Sequence, residues 1–316
     1  MLCVLCGVTP SSVLPPSKKS KKKKKNSQSG VDGFDPAFNP TTAVSYPTSV
    51  PLHSTPSSFK SSFDSLTSAL LNRSTSKEVG FLQHLACHSC SSPVISCLFR
   101  VAAVAYGSPP SSPPPTTDLV NLSRTLPLSS AHYPKLQQSS PPHALTCAVI
   151  GMDDASTCLK IVYGLSGDPS GSLVLESLLE VCASPVYRRA WEGMDGRVKE
   201  YASDPVANHA LQAAMRHCRD SGTAGEIVGQ VAPLLRGLPP NRRGVAAAAA
   251  SLAGRFEADC ERVYNSLPGL FESLGLEVEE GGGCRVDVNA ARMVRYVLEG
   301  FPEVWRKKAE EEIKKR

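Results

Sequence analysis

A phrase that returns at a fixed interval constrains this chain more than any other feature. Asp168-Pro169-Ser170-Gly171-Ser172-Leu173-Val174-Leu175-Glu176 is echoed by Asp204-Pro205-Val206-Ala207-Asn208-His209-Ala210-Leu211-Gln212, so that Asp168 to Asp204 and Ser172 to Asn208 are both steps of 36 residues. One further step reaches Gly244, inside Asn241-Arg242-Arg243-Gly244-Val245-Ala246. Upstream, His88-Ser89-Cys90-Ser91-Ser92-Pro93-Val94-Ile95-Ser96 has the same shape. A period of roughly 20 to 50 residues marks a solenoid of stacked helical units, each burying its apolar side against the next. Function in such an array is displayed along one extended face. The expected fold class is all-α: antiparallel helix pairs in a right-handed superhelical solenoid without a sheet.

The repeat divides the chain. Residues 1–75 carry a lysine run and a Ser/Thr/Pro-rich stretch, and are expected to be a disordered tail, because such composition buries too little apolar surface to offset the entropy of ordering. In 76–107, Phe81, Leu82, Leu85, Val94, Ile95, Leu98, Phe99 and Ala102 follow helical spacing and predict one helix pair broken near Cys87 to Ser91. The stretch 108–142, with Ser108-Pro109-Pro110-Ser111-Ser112-Pro113-Pro114-Pro115, is expected to be a disordered insertion between pairs. Over 143–280 the pattern predicts helices at Thr146 to Leu165, Gly171 to Cys182, Tyr187 to Tyr201, Ala207 to Cys218, Gly225 to Leu235 and Arg243 to Cys260. The 36-residue step is lost after Gly281-Gly282-Gly283. Residues 281–316 then predict an irregular helical cap with a basic tail, its helices at Asn289 to Glu299 and Pro302 to Lys315. Within the phrase, Asp-Pro needs no chemistry. An aspartate accepts from free amides at the next helix start, and proline suits the first turn, where its missing donor is not needed.

Composition excludes several classes. The net charge of +5 is mild and gathers in Lys18, Lys19, Lys21, Lys22, Lys23, Lys24 and Lys25 and in the Lys314-Lys315-Arg316 end. A run of this kind reads as a nuclear-import segment. The 11 cysteines are odd in number and mostly lie in apolar helical contexts, which reads as buried free thiols in a reducing compartment. Cys3-x-x-Cys6 and Cys87-x-x-Cys90 are the close pairs, but the repeat phrase already accounts for the second, and no metal or cofactor is expected. No apolar run is long enough for a membrane span, and no secretory signal is visible, so a soluble intracellular protein is expected. There is no P-loop, no dinucleotide fingerprint and no nucleophile–base motif. Neither an enzyme nor a small-molecule substrate is expected.

Helical repeats of this length with a Gly-(Asn/Ser)-x-Val-x-Gln/Glu signature resemble the Pumilio (PUF) RNA-binding repeats, an armadillo-type fold. The Asp-Pro-x-x-Ser/Asn-x-x-Leu-Glu/Gln phrases and Asn241-Arg242-Arg243-Gly244-Val245-Ala246 are most similar to the divergent nucleolar branch of that family, which acts in ribosome assembly. The resemblance covers residues 80–100 and 146–316. It implies that each repeat turns three side chains of its second helix to one RNA base, two on the base edge and the middle one stacked on its face. Carried over residue by residue, these are Asn208, His209 and Gln212; Ser172, Leu173 and Glu176; and Ser92 and Ser96 with Pro93 between them. Gly244, Val245 and Ala248 occupy the matching positions downstream, with Arg243 beside them. The family has about twice as many repeats as the four or five visible here, so the chain is expected to be a shortened or fragmentary member. Family membership further implies a nuclear, mainly nucleolar protein. It would bind single-stranded or precursor ribosomal RNA of the small subunit among pre-ribosomal particle proteins, and guard a maturation cleavage without cutting.

The residue types suit that role. A splayed-out base is read on its Watson–Crick edge. Asn208 and Gln212 are four apart, hence on one helical face. Their amides carry donor and acceptor together, which suits uracil, whereas the Glu176 carboxylate beside Ser172 suits the donor-rich edge of guanine. His209 is placed to stack. If the code holds, the two repeats favour 5′-UG-3′. Arg188, Arg189, Arg216, Arg219, Arg236, Arg242 and Arg243 are candidates for phosphate contacts, which supply affinity without sequence information. The competing class is a HEAT- or armadillo-like protein scaffold, for which the alanine-rich helix from Val245 to Ala250 is equally suited. RNA binding predicts steep salt dependence, and a scaffold does not.

Overall fold

The computed structural model describes residues 57–75, 80–108, 135–267, 277–278, 284–285 and 288–314. The lysine run and most of the 108–142 stretch lie outside them. Fourteen α-helices are present among the described residues. In chain order they are α1 (Ser57–Thr75), α2 (Phe81–Cys87), α3 (Ser92–Tyr106), α4 (Pro141–Ile150), α5 (Ala155–Gly167), α6 (Pro169–Val181), α7 (Ser184–Met194), α8 (Val198–Ser203), α9 (Ala207–His217), α10 (Ser221–Val231), α11 (Arg243–Phe256), α12 (Cys260–Ser266), α13 (Val288–Gly300) and α14 (Glu303–Lys314). Among the described residues, strands are confined to two antiparallel pairs of two residues each, Gly107–Ser108 with Lys135–Leu136 and Glu277–Val278 with Cys284–Arg285. The first pair corrects the expectation of no sheet at all. It lies at the two ends of the proline-rich stretch and brings them together.

Three further expectations need correction. A helix is present at Ser57–Thr75, inside the stretch 1–75 expected to be a disordered tail. α1 is Ser-rich, but Phe59, Phe63, Thr67, Leu70 and Leu71 recur at helical spacing. Phe63 and Thr67 are buried, and α1 packs on α4. Lys135–Leu136 and the start of the helix Pro141–Ile150 also have regular structure, inside the stretch 108–142 expected to be disordered. The single helices expected over 146–165 and 187–201 are each two. Gly151 (φ +65°) ends α4 and Gly196 (φ +75°) follows α7, a left-handed conformation that glycine adopts without steric cost. Asp154 then starts α5 by accepting from Thr157 N at 2.8 Å. The helix expected over 243–260 likewise ends at Phe256, with Glu257 in the left-handed region.

The second helices of successive units, α3, α6, α9, α11 and α13, pack side by side into one layer. α5 packs against α6 and α7 on the other side. α7 is linked to α10 by Arg188 to Glu226 (2.9 Å), Trp191 Nε1 to Glu226 (3.2 Å) and Gln230 to Asp195 (2.6 Å). One apolar cluster runs through the array, including Phe99, Leu175, Tyr187, Trp191, Tyr201, Leu211, Leu252 and Val297. Burying each of the largest of these contributes about 1.5–3 kcal/mol. The helix pair α2–α3 is apolar enough to pass for a bent membrane segment by composition, but most of its apolar side chains belong to or pack on this cluster, Val94 being exposed. No single helix among the described residues is long and apolar enough to cross a membrane.

Alanine sets the spacing late in the layer. Ala246 to Ala250 of α11 are all buried, and further along Gly254 meets Gly300 of α13 so closely that a Cβ on Gly254 would stand 3.0 Å from the Gly300 backbone. Glycine is required there by proximity, not by backbone conformation.

Candidate nucleic-acid interface

The two Asp-Pro phrases are helix starts, as their composition implies. Asp168 accepts from Ser170 N (2.8 Å) and Gly171 N (2.7 Å), and Asp204 from Val206 N (2.7 Å) and Ala207 N (2.8 Å). Each turn fixes the rotation of the helix that follows, and therefore which of its residues meet the neighbouring helix.

That rotation puts the expected edge readers inside. Asn208 is 2% exposed, Gln212 8%, Ser172 4%, Ser92 2% and Ser96 1%. Asn208 Nδ2 donates to Asp204 O (2.7 Å), Gln212 Nε2 to Asn208 Oδ1 (2.9 Å), and Arg216 Nη2 to Gln212 Oε1 (3.0 Å). This ladder runs along α9 at its seam with α11, where a Cβ on Gly244 would come within 2.8 Å of the Gln212 amide. Ser96 Oγ donates to Leu173 O across the seam between α3 and α6, and Ser172 Oγ donates to Pro169 O, each at 3.4 Å. The spacing of four does place each pair on one helical face, but in this conformation that face is the inter-repeat seam. The uracil and guanine edges assigned to Asn208/Gln212 and Ser172 are thus not offered to solvent, which corrects the sequence reading. Of the other positions, His209 is exposed, while Leu173, Glu176 and Arg243 are half-buried.

The open side of the layer carries a different set of groups. Arg100 Nε of α3 pairs with Glu180 of α6 at 2.9 Å, the carboxylate being almost wholly covered. Burial pushes the Glu176 carboxyl up, and Arg216 and Arg100 oppose that rise. Arg216 of α9 is exposed, and both Glu176 and Arg292 of α13 act on it electrostatically, as does Tyr296. α11 lies between α9 and α13, and its middle, Ala246 to Ser251, consists of small residues.

A second periodic element escaped the sequence reading. Arg219 Nη2 donates to Leu179 O (3.1 Å), and Arg255 Nη2 to Met215 O (2.5 Å). Arg219 to Arg255 and Leu179 to Met215 are both steps of 36 residues. In each case an arginine just past one second helix, or at its end, covers a last-turn carbonyl of the preceding one. Such carbonyls have no intrahelical donor, and a cation there also meets the helix dipole favourably. Lys135 Nζ covers the adjacent Glu180 carbonyl from the strand before α4. Burial, with Arg219 next in effect, lowers the Lys135 ammonium to about 8. His217, buried nearby, is pushed well below its ordinary value by burial and then by Lys135, Arg216, Arg219 and Arg255. The signal was present in the sequence, since Arg255 repeats Arg219 at the established period.

The remaining arginine candidates lie elsewhere. Arg188 and Arg189 pair with Glu192 and Glu226 on the first helices. Arg236 donates to Asn265 O (2.6 Å) and Arg242 to Ser203 O (3.4 Å). Arg216 and Arg219 lie beside charged groups of the second-helix layer, as do Arg100, Arg255 and Arg292, and Arg243 starts α11.

Helix pairs stacked at a 36-residue step define a helical-repeat protein. The family model described as NOP9-like PUF repeat domain matches residues 1–296, and the chain belongs to that family. No curated protein matches it.

Proposed function

We propose that the open side of the second-helix layer binds single-stranded segments of small-subunit precursor ribosomal RNA in the nucleolus. There, among pre-ribosomal particle proteins, it covers a maturation site without cutting it. The observation that supports this is the set of cations on and beside the second helices, Arg100, Arg216, Arg219, Arg255 and Arg292, in a chain of the NOP9-like PUF family. Because the seam residues are engaged internally, binding rests on phosphate contacts and RNA shape, with the exposed His209 on α9 as the candidate stacking residue. A base-by-base code on Asn208 and Gln212 is not part of the proposal.

An electrophoretic mobility series of the full chain against small-subunit precursor RNA, repeated over a range of salt, tests it. The expected result is retention that weakens steeply as salt rises, because each neutralised phosphate releases counterions. Absence of retention, together with a tagged chain that recovers no precursor ribosomal RNA from cells, would favour the protein-scaffold reading.

A further inference from the structure

An aromatic ring stands outside the core on the first-helix side of the array. Tyr163 of α5 is 46% exposed. Tyr201 of α8, itself buried, meets that ring edge to face with centroids 6.2 Å apart, so the ring is anchored from within. Arg197, between α7 and α8, places its guanidinium carbon 4.7 Å from the Tyr163 centroid. Lys160 is exposed and precedes Tyr163 by three residues, which puts both on one face of α5. Among the described residues neither Arg197 nor Lys160 has a side-chain hydrogen bond or an ion pair, and the exposed Glu200, three residues after Arg197, does not pair with it. The arginines of α7 differ in this respect, since Arg188 and Arg189 are held by Glu192 and Glu226.

The same face of α5 carries two glycines that the fold does not require. Gly164 and Gly167 are exposed, neither has a positive φ, and a Cβ on either would meet nothing within 4 Å. The repeat does not demand them either. One step of 36 residues later, the positions of Tyr163, Gly164 and Gly167 hold Lys199, Glu200 and Ser203 of α8. Glycine is a poor helix former. Where neither backbone conformation nor packing within the chain calls for it, it leaves room for a ligand to approach the backbone closely.

We propose that Tyr163, Arg197 and Lys160 form a stacking site for a base of single-stranded RNA on the first helices, apart from the second-helix layer. A base stacks on an aromatic ring or on a guanidinium plane, and the two cations without acid partners suit the flanking phosphates. The open ground at Gly164 and Gly167 gives the strand room beside the ring. Recognition here is tolerant of sequence, since every base has a π face. The proposal rests on the RNA reading above and adds to it a contact that the second helices do not supply.

The test uses the full chain, with affinity for single-stranded small-subunit precursor RNA measured over a salt series and unfolding midpoints measured alongside. Tyr163→Ala should weaken binding about tenfold, the loss of one stacked base, and leave the salt slope unchanged. Tyr163→Phe keeps the ring and should bind as the unaltered chain does. Arg197→Gln should lower the salt slope by about 0.7, the loss of one phosphate contact to a single strand. Gly164→Gln should weaken binding while its unfolding midpoint stays level or rises, because the added side chain meets nothing in the fold and glutamine is the better helix former. That variant carries the test if Tyr163→Ala disturbs the packing on Tyr201. RNA held by the unaltered chain and held equally by Tyr163→Ala and Gly164→Gln would overturn this site and leave the RNA reading standing. An unaltered chain that retains no RNA would refute the RNA reading and this site with it.

Discussion

Replacing Asn208 by alanine separates a seam residue from a base reader. Asn208 donates to Asp204 O and accepts from Gln212 Nε2, and it is 2% exposed. Alanine removes both hydrogen bonds, each worth about 0.5–1.5 kcal/mol net, and leaves the Gln212 amide without its acceptor at a further cost of about 1 kcal/mol or more. Alanine's better helix propensity returns roughly 0.5 kcal/mol. The net loss is about 2 kcal/mol, which for a folded unit of roughly 150–250 residues lowers the unfolding midpoint by about 4–8 °C. Thermal unfolding followed by far-UV circular dichroism measures it. A cycle with Gln212→Ala should show coupling, since both singles break the same bond. RNA affinity, measured well below the midpoint, should stay unchanged. An unaltered midpoint with a selective loss of RNA affinity would refute the seam assignment and restore Asn208 as a base contact.

Arg255→Met should weaken RNA retention and lower its salt slope by about 0.7 if the lost cation faced a phosphate; the mobility series above reads this directly. Gly254→Leu should cost about 1–3 kcal/mol by forcing α11 from α13, because even a Cβ there stands 3.0 Å from the Gly300 backbone, and urea unfolding reports it. Trp191→Ala should cost about 3–5 kcal/mol, since the indole is fully buried and its N–H is held by Glu226. Lys135 is lowered from 10.5 to about 8 in the fold. Between these values the unfolded chain binds the proton that the folded chain has released, so stability contributed at this position rises with pH. Relative to Lys135→Met, the unaltered chain should gain stability from about pH 8 to pH 10; a flat difference between the two would contradict the burial of that ammonium.

The fold was legible because its determinants are local and repeated. Asp168 and Asp204 announce helix starts through side-chain oxygens and a following proline, and both act as such in the structure. The breaks at Gly151 and Gly196 were not read, because a glycine within an apolar helical pattern looks the same whether it continues the helix or ends it in the left-handed region. α1 was hidden by composition. Serine and threonine suggest an unfolded tail, yet Thr67 Oγ1 donates to Phe63 O (2.9 Å), so the hydroxyl is satisfied within the helix while Phe59 and Phe63 supply the packing.

The site was legible only in its period. Spacing of four states that Asn208 and Gln212 share a face, but not whether that face looks to solvent or to the next repeat. The deciding information is non-local: Gly244, 36 residues after Asn208, has no side chain, and the Gln212 amide lies in the space a Cβ would occupy. Arg216 extends the same ladder by one more turn, and its longer side chain reaches the exposed end of the seam. One column of residues on α9 therefore changes from buried amide to exposed cation along its length. The same logic applies to Arg219 and Arg255. Each is tied to the preceding repeat by one nitrogen, so stacking of the units and placement of positive charge along the layer's edge follow from the same residues. A substitution at either arginine should therefore alter array stability and RNA binding together, whereas one at Asn208 should alter stability alone.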